Sequence, residues 1–224
     1  MELDQVMRTT FAAREYTDQD ISDATLYRLL DSARFAPSGG NRQGWRVIVV
    51  RNAEKRKSLA ALMQPTVKQY LAQTIAGEVP FNTINPSRVD RTTIEKTTAS
   101  FPLIDNLDAV PVVLVICVDL SLVTSFDRDL DRVGVISGAS IYPFVWNILL
   151  AARNEGLGGV LTTFLAESEI KAKQLLSLPD SFAIASMLPL GVPVKQLTRL
   201  KRNPVESFTR IDAWDGDQFD DPEQ

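Results

Sequence analysis

The chain has 224 residues, 45% of them hydrophobic and 23% charged, with a formal net charge of −4. That length suits one large domain or, at a stretch, two small ones, and the composition is enough for a real core. A chain with no histidine and a single cysteine excludes a Ser-His-Asp hydrolase, a His-ligated zinc enzyme and an internal disulfide, and the acidic balance leaves no whole-chain footprint for nucleic acid.

The first residues are mixed and acidic with no apolar h-region, and the longest apolar stretches are too short or too interrupted to cross a bilayer. The expectation is a cytoplasmic protein without a membrane partner. A first helix begins before Thr9. A second is marked by Ser22 as N-cap and by Leu26, Leu29, Leu30 and Ala33 at helical spacing, and Pro37 closes it. Residues 38–41 read as a loop and 45–50 as a strand, with a helix expected over 53–71. Residues 77–100 carry weak periodicity, two prolines and many threonines, and read as a mobile excursion containing a short helix. Residues 110–118 are β-branched, apolar and continuous, the pattern of a buried strand. Cys117 lies within that run and reads as a small hydrophobe.

Residues 138–155 predict a helix. Ile141, Val145, Ile148, Leu149 and Ala152 form one stripe, which Phe144, Trp146 and Leu150 widen, so the helix is expected to be central or to lie at a subunit interface. Gly156 suits its C-cap. A turn at 158–162 leads into a short strand, followed by a helix over 168–176 and a last core strand over 182–191. Residues 215–224 are acidic and expected to be disordered. Helices and strands mix without strict alternation, which favours an α+β sandwich.

Four stretches carry residues suited to chemistry. Arg14 can clamp a phosphate or sit in a surface ion pair. In Pro37-Ser38-Gly39-Gly40-Asn41-Arg42-Gln43-Gly44-Trp45, glycines admit close approach of a ligand to the backbone and the Asn and Gln amides suit the imide edge of a heterocycle. A plain connecting loop is the alternative, and the spacing matches neither a Walker A loop nor GxGxxG. Gly158, Gly159 and Val160 offer amides to a ring edge, or complete a helix cap and a tight turn. Lys201 and Arg202 belong to a basic cluster that is either solvated or phosphate-binding.

The order of these stretches resembles the FMN-dependent nitroreductase family from about Met7 to Trp214. The resemblance is carried by Arg14-x-Tyr16-Thr17, by Ala33-Arg34-Phe35-Ala36-Pro37-Ser38-Gly39-Gly40-Asn41-x-Gln43-x-Trp45, by Leu149-Leu150-Ala151-Ala152-Arg153 running into Gly156-Leu157-Gly158, and by Leu190-Gly191-x-Pro193 followed by Lys201-Arg202-x-Pro204. It implies an α+β sandwich with a central, mostly antiparallel sheet flanked by helices, and an intertwined homodimer. A single domain would span 1–214, with a variable lid at 64–108 and a C-terminal arm at 193–214 reaching the partner subunit. FMN is the implied cofactor and NADPH or NADH the electron donor. Hydride would pass by way of FMN N5 to a nitroaromatic, a quinone or a similar small planar acceptor in ping-pong fashion, with no catalytic side chain. Carried over by position, Arg14 and Arg202, with Lys201 as a further candidate, bind the FMN phosphate. Ser38, Gly39, Gly40, Asn41 and Gln43 contact the phosphate, ribityl chain and ring edge, and Gly158, Gly159 and Val160 line the isoalloxazine. Tyr70, Phe81 and Phe101 in the lid are candidates to stack on the acceptor, or form a small satellite core.

The sequence departs from the family pattern at Thr10 and Phe11, where an additional arginine is frequent, and at Trp146, a position often polar. Three other readings stand beside the enzyme. One is a reductive dehalogenase or flavin-degrading relative on the same fold. The second is a flavin-binding or sensing protein without turnover, and the third a structural dimer with no cofactor.

Overall fold

The computed structural model describes residues 1–222, so Glu223 and Gln224 of the acidic tail lie outside the described residues. Its centre is a four-stranded antiparallel sheet in the order β1-β2-β4-β3, made of β1 (Trp45–Val50), β2 (Val112–Asp119), β3 (Gly158–Gly159) and β4 (Phe182–Gly191). Both faces of the sheet are covered. β2 is buried over seven consecutive residues because its side chains alternate between two cores. Val112, Leu114, Ile116 and Val118 join one cluster, and Val113, Val115 and Cys117 join the other.

The first cluster is closed by α2 (Asp23–Ala33) and α6 (Tyr142–Asn154), through Leu26 and Leu29 of one and Val145, Ile148 and Ala152 of the other. Trp45 stacks on Phe144 there, with ring centroids 4.8 Å apart. The second is closed by α3 (Ala53–Ile75), through Leu59, Met63 and Val67, and by α7 (Glu169–Leu176). β4 switches parity along its length: Ala183 and Ala185 face the first core and so do Leu188 and Leu190. The register shift opposite Ile116 and Cys117 supplies the extra residue that this requires. Three short helices complete the fold: α1 (Leu3–Thr9), α4 (Arg91–Lys96) within the excursion, and α5 (Pro102–Asp105).

Several boundaries differ from the sequence-based expectation, each for a local reason. The helix expected over 138–155 occupies Tyr142–Asn154 and is preceded by a 3-10 turn, Ile136–Ser140. Pro143 lacks an N–H and fits only the first helical turn, so the helix cannot begin four residues upstream. The helix expected over 53–71 runs on to Ile75, and its stop is Gly77 at φ +75°. The strand expected from residue 110 begins at Val112, because a 3-10 turn, Leu107–Ala109, and Pro111 come first. The helix expected from residue 168 starts at Glu169, with Ser168 at its N-cap position. β1 and β4 match expectation at both ends, and Ser22 caps α2 through Oγ, which accepts from Thr25 N–H at 3.1 Å.

Candidate functional site

At one end of the sheet, the segment after α1 zips onto β3, β4 and the chain that follows β4. Ala13 N–H donates to Gly159 O at 3.0 Å, Thr17 N–H to Val192 O at 2.8 Å, and Val194 N–H to Glu15 O at 3.1 Å. The half-buried Tyr16 hydroxyl donates to Ala13 O at 2.6 Å, with Pro189 O also within reach at 3.1 Å, and desolvation raises its pKa well above the ordinary tyrosine value. A Cβ on Gly191 would meet the Tyr16 ring at 2.8 Å, and one on Gly158 would meet Ala13 Cβ at 2.9 Å. The motif glycines here are therefore demanded by close packing. Gly159 and Val160 are also buried, and a Cβ on Gly159 would come within 2.9 Å of Pro189 O. Arg153, from the third motif, holds the end of α1 by donating from Nε to Thr9 Oγ1 at 2.9 Å.

Arg14 projects from this junction. It is exposed, donates from Nη1 to Ala12 O at 3.2 Å, and makes no ion pair among the described residues. It lines two cavities, one of 240 Å³ shared with Phe11 and Lys195, the other of 200 Å³ shared with Tyr16, Pro102 and Asn106. Arg202 lines neither of those cavities; it lies in a 660 Å³ cleft with Arg199 and the ion-paired Arg8 and Asp4 of α1, and its Nη1 donates to Lys201 O at 2.8 Å. Thr10, where the family pattern departs, is buried and donates from Oγ1 to Val6 O at 2.7 Å, so it offers no cation to this region.

The Ser38–Gln43 loop stands at the other end of the sheet, where Gly44 O accepts from Asp119 N–H at 2.9 Å. Ser38 Oγ accepts from Gln43 N–H at 3.0 Å, and Gln43 Nε2 donates to Asn41 Oδ1 at 3.2 Å. Gly40, Asn41 and Gln43 all have left-handed backbones, at φ 59°, 53° and 51°. For glutamine that conformation is strained, and strain held in place by its surroundings is common at ligand-binding turns. The bracing comes from residues with no signal in the sequence. Ser140 Oγ accepts from Gly39 N–H at 3.0 Å, and Arg42 donates to Thr124 Oγ1 at 3.3 Å. Between Thr124 and Ser140, Asp127 ties the chain down by accepting from Val135 N–H and Arg132 Nη1, both at 2.7 Å. Those two bonds hold the Asp127 carboxyl far below the usual carboxylate range.

From Asp119 to Val112, β2 advances seven residues, about 23 Å at strand spacing. The Arg14 region and the Ser38–Gln43 loop are thus kept apart within one chain. Of the lid candidates, Tyr70 and Phe81 line a common cavity with Phe164, while Phe101 packs edge-on behind Phe164, with ring centroids 5.4 Å apart, and does not line it. The thiol of Cys117 is buried and pushed up to about 12 by desolvation, so it is unsuited to nucleophilic work.

Residues 7–192 match the nitroreductase family. The chain belongs to that family. Among nitroreductase relatives, a protein of Archaeoglobus fulgidus whose name joins NADH dehydrogenase and NAD(P)H nitroreductase is 28% identical over 191 residues, covering 84% of each chain. A nitrobenzene nitroreductase of Ectopseudomonas oleovorans is 23% identical over 225 residues, covering 92% of this chain and 95% of the relative. Among solved structures, an iodotyrosine deiodinase bound to FMN and 3-iodo-L-tyrosine superposes with a TM-score of 0.64 at 21% identity, covering 95% of this chain and all of that one. At that identity the likeness is one of fold, and it agrees with the antiparallel sheet flanked by helices found here.

Proposed function

We propose that the protein is an FMN-dependent oxidoreductase that takes electrons from NADPH or NADH and reduces a small planar acceptor such as a nitroaromatic or quinone, and that it works as a homodimer. The observation that carries this reading is the division of the nitroreductase-type residues between two ends of the sheet. Arg14 and its neighbours supply cationic donors at one end, and the strained amide-rich loop supplies ring-edge donors at the other. Two chains placed with opposite ends together would complete each site. The apolar face that α6 leaves open, with Tyr142 and Trp146 one turn apart and 41% and 43% exposed, is the natural surface for that pairing.

The donor set fits FMN. Arg14 and Arg202 carry fork-shaped guanidinium groups free of carboxylate partners among the described residues, which suits a phosphate, and Lys201 precedes Arg202 in the chain. Ser38, Gly39, Gly40, Asn41 and Gln43 would orient the ribityl chain and the pyrimidine edge, and Gly158, Gly159 and Val160 would form the wall behind the ring. FMN, when bound, supplies hydride acceptance from the nicotinamide and hydride delivery to the acceptor. The residues of the chain then hold the three partners in register and place donors against the charge that develops on reduction. No side chain here needs to act as a nucleophile or histidine base, and the proton for the acceptor comes from solvent.

The test is an absorption spectrum of the untagged protein before and after anaerobic addition of NADPH or NADH. A flavin spectrum that bleaches is the expected outcome. A flavin spectrum that persists would favour a binding or sensing role. A colourless protein that also fails to bind added FMN would overturn the reading, with Thr10 and Phe11 the first positions to examine.

A further inference from the structure

One cavity of about 430 Å³ lies between α3, the turn after it and the Thr163–Glu167 segment. Three aromatic rings line it, those of Tyr70, Phe81 and Phe164. Tyr70 meets Phe164 edge-on, with ring centroids 5.3 Å apart, and Pro80 and Phe81 close the outer side. Phe81 is held there deliberately. Its backbone is left-handed at φ 54°, an uncommon state for a bulky residue, and its N–H donates at 3.0 Å to Oε1 of Gln73, which is itself buried. The only charge on the lining is the carboxylate of Glu167, which is exposed at the rim.

Thr66 lines the same cavity from its buried side, at 5% exposure, and its Oγ1 has no hydrogen-bond partner. Threonines in the last turn of other helices, or just past it, avoid that state. Thr9, Thr10, Thr74 and Thr97 each donate to the carbonyl four residues back, at 2.7 to 2.8 Å. For Thr66 that carbonyl belongs to Leu62, and it takes the Ser168 hydroxyl instead, at 2.8 Å. A buried hydroxyl without a partner is costly, and a threonine in a helix can exchange its hydroxyl and methyl by rotation about χ1.

We propose that this cavity binds a neutral single-ring aromatic bearing an oxygen acceptor, with the ring against Tyr70, Phe81 and Phe164 and the oxygen accepting from Thr66 Oγ1. Binding follows from the cavity alone. That the ligand is the electron acceptor of the enzyme rests on the oxidoreductase reading above.

The test is equilibrium dialysis of the protein as purified, with nitrobenzene, toluene and 4-nitrobenzoate as probes. Thr66→Val keeps the shape and removes the hydroxyl, so nitrobenzene is expected to bind roughly five- to tenfold more weakly while toluene is unchanged. Thr66→Ser keeps the hydroxyl and should keep the nitrobenzene affinity, and Phe81→Ala should weaken both neutral probes. The rim carboxylate should make 4-nitrobenzoate bind more weakly than nitrobenzene, and equal binding would overturn the charge preference. Nitrobenzene affinity unchanged in Thr66→Val, or absent from the unsubstituted protein, would overturn the proposal. Bleaching by NADH or NADPH separates the two ideas. Intact hydroxyl-dependent binding without bleaching supports the cavity and removes the oxidoreductase reading, whereas bleaching with hydroxyl-independent binding does the reverse.

Discussion

Single residues in this protein divide into those that shape the junction at the sheet end and those left free for a ligand. Tyr16 and Gly191 belong to the first group, because the ring lies only 2.8 Å from where a Cβ on residue 191 would stand. Gly191→Ala should therefore destabilise the fold by about 1–3 kcal/mol, the usual range for overpacking, read as a lower urea midpoint. An unchanged midpoint would mean that the Tyr16 ring can move aside. Arg14 belongs to the second group, being exposed and unpaired by any carboxylate among the described residues. Arg14→Ala should leave the melting temperature nearly unchanged and weaken FMN binding roughly 10- to 100-fold, the value of a charge-assisted bond, in a fluorescence titration. Equal FMN affinity would remove Arg14 from the proposed phosphate site.

The loop from Thr124 to Ser140 decides how well the Ser38–Gln43 turn is held, and its own anchor is Asp127. The Asp127 carboxyl titrates lower in the folded chain than the ordinary aspartate value near 3.9. A depressed carboxylate contributes stability that is present above its unfolded value and lost only as pH falls through the lower folded value. The Val135 amide resonance should accordingly show no titration between pH 8 and about pH 4, and an inflection within that span would contradict the anchoring. Asp127→Ala should expose the loop to limited proteolysis while sparing the sheet, because Asp127 belongs to neither core cluster. No motif announced this loop. Its bonds join residues that only the folded chain brings side by side, whereas the Ser22 cap and the Gly77 stop of α3 act within a few residues of themselves.

The whole molecule poses the question of assembly. About 23 Å of strand separates the two groups of candidate flavin residues, and α6 presents Tyr142 and Trp146 to the outside. If two chains share each site, Trp146→Glu should convert a dimer to a monomer in light scattering and release the flavin in the same step. A monomer that keeps its flavin would sink the shared site. Such coupling would also make flavin content depend on protein concentration.

Read by itself, the sequence determined what depends on period and local chemistry. β1 and β4 were legible to the residue, α2 was legible from Ser22 and its apolar stripe, and the family was legible from motifs in fixed order. Tertiary structure decided what depends on distant neighbours. It assigned the motif glycines at 158 and 191 to packing against Ala13 and Tyr16, and it set Arg14 and Ser38 at opposite sheet ends. It also left the Thr66 hydroxyl alone, because Ser168, more than a hundred residues away in sequence, occupies the Leu62 carbonyl. A pattern of side chains reports which face is apolar, but it cannot report which atom of a far segment will arrive first at a given carbonyl.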